Sequence, residues 1–68
     1  MDYEKLNEVI DGSGLKRSFI ARSIGLSPKV FHDRTSGITQ WKSGEILKFC
    51  NLLGLKKKQR DDIFFVSM

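Results

Sequence analysis

Residues 25–37, GLSPKVFHDRTSG, crowd four polar, mostly charged side chains into one short stretch: Lys29, His32, Asp33 and Arg34. Lys29 and Asp33 stand four positions apart, and Lys29 and His32 three, so on a helix these groups share a face. His32 is the only histidine and Cys50 the only cysteine. A metal site, which draws on several ligands of these kinds, is therefore not expected. No Ser/His/Asp or Cys/His arrangement, paired carboxylates or glycine-rich phosphate loop accompanies them, so neither an enzyme nor a bound cofactor is expected. The chemistry that remains is recognition. An ammonium and an imidazole donate hydrogen bonds, a carboxylate accepts them, and Pro28 adds a small apolar surface.

The charge distribution indicates a kind of partner. Residues 1–11 carry four acidic and one basic side chain, for −3. Residues 12–60 carry eleven basic side chains against Asp33 and Glu45, for +9, and residues 61–68 carry −2. A cationic centre between acidic ends suits a polyanion, nucleic acid above all. Nothing at the start of the sequence reads as a signal peptide. No stretch approaches the roughly 18 apolar residues of a membrane span. A reducing, cytoplasmic setting beside the nucleoid is expected, with no membrane partner.

The chain of 68 residues reads as a single domain over 1–68, held by apolar packing, since one cysteine permits no internal disulfide. Strand signals are weak, whereas helical spacing recurs five times. Tyr3, Leu6, Val9 and Ile10 form the first stripe, which should stop near Gly12–Gly14. Ile20, Ala21 and Ile24 form the second, closed by Gly25. Ser27 is a good N-cap and Pro28 a good first helical residue, because proline lacks an N–H that would be unpaired there anyway. Val30 and Phe31 supply the apolar face of this third helix, and Gly37 ends it. Ile46, Phe49, Cys50 and Leu53 mark the fourth helix, stopped by Gly54; Ile63, Phe64 and Val66 mark a short fifth. The expected class is all-α, five short helices with tight connections.

The second and third helices are close enough in sequence for a helix-turn-helix over about residues 17–36. Gly25 can take the left-handed conformation that redirects the chain, and Ala21 lets the third helix pack closely across the second. Ile20, Ile24, Leu26 and Phe31 would fill the wedge between them.

Residues 17–37, RSFIARSIGLSPKVFHDRTSG, resemble the helix-turn-helix of the Cro and phage-repressor group, the lambda-repressor-like family. Ile20-Ala21, Ile24-Gly25-Leu26-Ser27, Phe31 and Gly37 match its pattern. Residues 41–46 and the closing Gly54-Leu55 and Ile63-Phe64-Phe65 look like the small regulators of temperate phages in Gram-positive bacteria, so the resemblance runs from about Leu6 to Phe65. Ser36 stands where the family commonly has Asn, Arg34 where it often has an apolar residue, and Thr35 follows it. These departures imply a helix less well buried at its C-terminal end.

The resemblance implies a compact five-helix DNA-binding domain that reads double-stranded operator DNA and represses transcription, with the helix over about residues 27–36 in the major groove. By position in the motif, Pro28, Lys29, His32 and Asp33 would read bases. Their chemistry suits this: Lys29 can donate to guanine O6 or N7, His32 to a purine acceptor or a phosphate, and Asp33 can accept from cytosine N4. Asp33 has a second reading, in which it pairs with Lys29 and only orients it. Arg17 and Ser36 would hold phosphates, as would Ser27 and Arg34, with Thr39, Gln40 and Lys42 meeting the backbone from the following loop.

Other residues have plainer readings. Cys50 falls in an apolar stripe and reads as core. Trp41 should pack against the third and fourth helices, with its N–H reaching a phosphate as the second reading. Phe19 should be half exposed. The run Lys56-Lys57-Lys58 reads first as a solvated turn, because cations are disfavoured at a helix start, and second as an auxiliary phosphate contact. One helix cannot easily bury both Phe64 and Phe65, so one folds back or the C-terminal end joins a second copy; the latter is expected, since operator reading by one small domain is weak. The alternative function is a protein-interaction module, antirepressor-like or antitoxin-like, using the same fold to bind another regulator.

Overall fold

The computed structural model describes residues 1–66. Its elements are five helices: α1 (Tyr3–Gly12), α2 (Arg17–Ser23), α3 (Pro28–Thr35), α4 (Ser43–Leu53) and α5 (Lys57–Phe64). There is no strand among the described residues, and no helix there is long and apolar enough to cross a membrane.

Local chemistry places the helix ends. Asp2 caps α1 by accepting from the Lys5 N–H at 3.0 Å. Ser27 caps α3 by accepting from the Val30 N–H at 3.2 Å, with Pro28 as the first helical residue. At the starts of α4 and α5 an N3 side chain reaches back: Glu45 accepts from the Lys42 N–H at 3.0 Å and Gln59 from the Lys56 N–H at 2.9 Å. Between α2 and α3, Gly25 sits at φ 81°, which a side chain with a Cβ adopts only under strain. That turn lets the Leu26 N–H donate to the Ala21 carbonyl at 2.8 Å, so a carbonyl left over at the end of α2 is satisfied.

The buried faces form one cluster: Leu6 and Ile10 from α1, Ile20 and Ala21 from α2, Ile24, Phe31 from α3, Phe49 and Cys50 from α4, and Ile63 and Phe64 from α5. α2 packs against α3 and α4, and α1 against α3 and α5. The Asp2 N–H donates to the Ile63 carbonyl at 2.8 Å, tying the start of the chain to α5. Trp41, between α3 and α4, organises the aromatic part of the core. Its ring meets Phe31, Phe49 and Phe64 edge-on at centroid distances of 6.3, 5.3 and 5.1 Å, arrangements that the ring quadrupole favours.

Three expectations are corrected. Tyr3 belongs to the first stripe by spacing but is 36% exposed, because its ring lies beside Gly37 rather than in the core. Val66 is 43% exposed and lies beyond α5, which ends at Phe64. The C-terminal end of α3 is not loosely covered, since Thr35 is only 4% exposed. Of the neighbouring phenylalanines Phe64 enters the core, while Phe65 stays exposed with the Arg60 guanidinium 5.6 Å from its ring centroid.

Candidate functional site

Two anchors orient α3. Phe31 and Thr35, four apart, both face the core. The opposite face is thereby turned outward: Pro28, Lys29 and His32 are exposed and Asp33 lies at its edge. Ser27 is exposed just before them; its oxygen caps the helix, and its hydroxyl proton stays available to an outside acceptor. Lys29 Nζ stands 3.6 Å from Asp33 Oδ2, with the two side chains 86% and 19% exposed. The Asp33 side chain is therefore mostly covered and that of Lys29 mostly exposed. Asp33 is thus within ion-pair distance of Lys29.

A shallow groove between the start of α2 and α3 brings Arg17, Ser18, Pro28 and His32 together. Arg17 enters it already bound: Nη2 contacts Asp11 Oδ1 at 3.0 Å and Asn7 Oδ1 at 2.9 Å. The pair is largely exposed, so water and salt compete with it easily.

Arg34 differs most from the expectation of a phosphate contact. Its side chain turns inward and is only 12% exposed, as is that of Glu45. Nε donates to Glu45 Oε1 at 2.9 Å and Nη2 to Oε2 at 3.3 Å, a two-bonded fork, while Nη1 donates to the Thr39 hydroxyl. The hydrogen bond from Arg34 holds the Glu45 carboxyl below the ordinary carboxylate range despite its burial, and the bond to Glu45 raises the Arg34 guanidinium. The guanidinium is thus engaged within the protein, because Glu45 waits where the helix end meets α4.

The other loop residues divide. Ser36 is exposed at the end of α3, its N–H donating to the His32 carbonyl at 2.9 Å. Thr39 is half-buried beside Arg34, and Lys42 is exposed. Gln40 is exposed too, but it borders a cleft with Met1, Tyr3 and Phe65, away from the groove beside α2. Trp41 Nε1 donates to the Arg34 carbonyl at 3.0 Å, so this N–H is engaged within the protein.

Sequence reasoning passed over Ser18, Asn7 and Ile38. Ser18 joins the groove only through the approach of α3. Asn7 reaches α2 and α3 from the middle of α1, and no local pattern marks it. Ile38 is 66% exposed, a large apolar side chain in a loop beside the polar face. Lys56, Lys57 and Lys58 are exposed at the start of α5, and burial pushes the Cys50 thiol up.

No family model matches the chain, and neither a curated protein nor a solved structure matches it.

Proposed function

We propose that the protein is a sequence-specific regulator that binds double-stranded DNA, a Cro-like repressor in which α2, the turn at Gly25 and α3 form a helix-turn-helix. The observation that carries this reading is the outward face of α3. A rigid helix, capped at Ser27 and anchored by Phe31 and Thr35, presents Pro28, Lys29 and His32 beside an arginine on the neighbouring helix. The B-DNA major groove, about 12 Å wide, admits such a helix, and an exposed ammonium suits guanine O6 and N7. Arg17, Ser27, Ser36, Thr39, Gln40 and Lys42 then serve as phosphate contacts, with Arg34 supporting them from within. Two copies on an inverted repeat supply the affinity that one small domain lacks.

The experiment is selection of bound duplexes from a random-sequence pool at about 0.15 M salt, where non-specific binding is weak. An enriched inverted repeat with half-sites about one helical turn apart supports the proposal. Absence of enrichment from a folded, helical protein overturns it and moves the weight to a protein partner.

A further inference from the structure

The Arg34–Glu45 pair is the most enclosed ion pair among the described residues. Around it, the segment 38–42 is bound at nearly every position. The Ile38 and Thr39 N–H groups both donate to the Asp33 carbonyl, at 3.0 and 3.3 Å. The Thr39 hydroxyl accepts from Arg34, Trp41 Nε1 donates to the Arg34 carbonyl at 3.0 Å, and the Lys42 N–H donates to the same Glu45 oxygen that meets Arg34 Nε.

Burying two charges is costly, and apolar residues of similar volume often stabilise a fold as well or better. What a charged fork adds is direction. A planar guanidinium bound at two oxygens tolerates little rotation or sliding, whereas apolar contacts tolerate both. Glu45 also caps α4, so the fork ties the end of α3 to the start of α4 across the loop. Lys42 and Gln40, the exposed polar residues of that loop, are carried at a set offset from Lys29 and His32.

We infer that the Arg34–Glu45 pair is the positioning device of the nucleic-acid interface. It holds residues 38–42 against α3 so that the base-facing groups of the helix and the backbone-facing Lys42 meet one duplex in a single register. Arg34 is a positioning residue and does not touch the nucleic acid. The inference rests on the DNA-reading proposal above.

The test is a thermodynamic cycle on the selected duplex. Arg34→Met with Glu45→Gln removes the pair, leaves no lone buried charge and keeps the net charge of the protein. In the unaltered protein Lys42→Ala should flatten the salt dependence of binding by about one unit, the signature of one lost phosphate contact. In the double variant Lys42→Ala should change nothing further, and the ratio of specific to non-specific affinity should already be about tenfold lower. Additive losses, a double variant that binds as the original does, or a Lys42→Ala without effect in the original would each overturn the inference. Arg34→Lys, which keeps the charge and loses the fork, is the milder variant; it should lower the same ratio while the protein stays helical.

Hydrogen exchange separates this claim from the DNA reading. The Ile38 and Thr39 amides and the Trp41 indole should exchange at least tenfold faster in the double variant, with the core amides of α1 and α2 unchanged. Unchanged exchange at Ile38 and Thr39 overturns the device itself. Faster exchange in a protein that binds no duplex overturns the DNA reading, and with it the role assigned to the device.

Discussion

Asn7, in the middle of α1, donates through Nδ2 to the Thr35 carbonyl at 3.2 Å while its Oδ1 accepts from Arg17 at 2.9 Å. One amide thus joins the first helix to the end of α3 and the start of α2. Replacing it with leucine removes these two bonds and a third, from Nδ2 to the Tyr3 carbonyl at 2.8 Å, and leaves the Thr35 carbonyl without this donor. Net contributions of about 1 kcal/mol per hydrogen bond give an expected loss of roughly 2–3 kcal/mol. Urea unfolding of Asn7→Leu measures it; a midpoint equal to the original would show that water replaces the amide without cost.

Acid should weaken the fold through Glu45. Its carboxyl titrates below the ordinary carboxylate range because Arg34 hydrogen-bonds the charged form. A depressed folded value contributes stability that is present above the unfolded carboxylate value, about 4.3, and is lost as pH falls through the folded value. Thermal unfolding of the original protein should therefore worsen as pH drops below about 4. Glu45→Gln cannot titrate, so it should be less stable at neutral pH and show a shallower decline in that acid window. An equally steep decline in Glu45→Gln would assign the acid sensitivity to other carboxylates.

Lys29 is an exposed cation on the outward face of α3, with Asp33 at 3.6 Å. If it reads a base, Lys29→Ala lowers specific affinity by roughly 1–3 kcal/mol and relaxes the preference at one base pair. Competition binding against single-base operator variants distinguishes this from simple charge loss. Equal weakening on every sequence would place Lys29 at a phosphate.

Arg17 must share itself between Asp11 and any phosphate. Arg17→Ala should weaken binding about uniformly and flatten the salt slope by about one unit. Asp11→Asn, which releases Arg17 from an exposed pair worth about 0.2–1 kcal/mol, should strengthen binding to all duplexes alike. Filter binding across a salt series reads both. A changed base preference in Arg17→Ala would contradict the phosphate role.

The helices were legible because their signals are local. Ser27 and Pro28 start α3 through a cap and a missing N–H, Gly25 and Gly54 close helices through left-handed backbone, and the i, i+3, i+4 stripes name most of the core. The outward residues Pro28, Lys29 and His32 were legible for the same reason: once Phe31 faces in, helical geometry turns them out. Arg34 was not, although it adjoins these positions, and for Asp33 the sequence left two readings open, base contact or pairing with Lys29. Whether a charged side chain offers itself to a partner or turns inward depends on what stands opposite. For Arg34 that is Glu45, eleven positions on, brought within hydrogen-bonding distance only by the turn around Trp41.

By itself, then, the sequence determined the helices, their ends and most of the buried stripes, which depend on residues a turn or so apart, and the cationic centre, which is a sum over residues 12–60. Tertiary structure decided what distance in sequence hides. Thr35 is buried because α1 lies over it, and Phe64 rather than Phe65 enters the core because Trp41 and Phe49 meet it there. Arg34 became an internal strut because an enclosed guanidinium needs a carboxylate beside it, and folding supplied one.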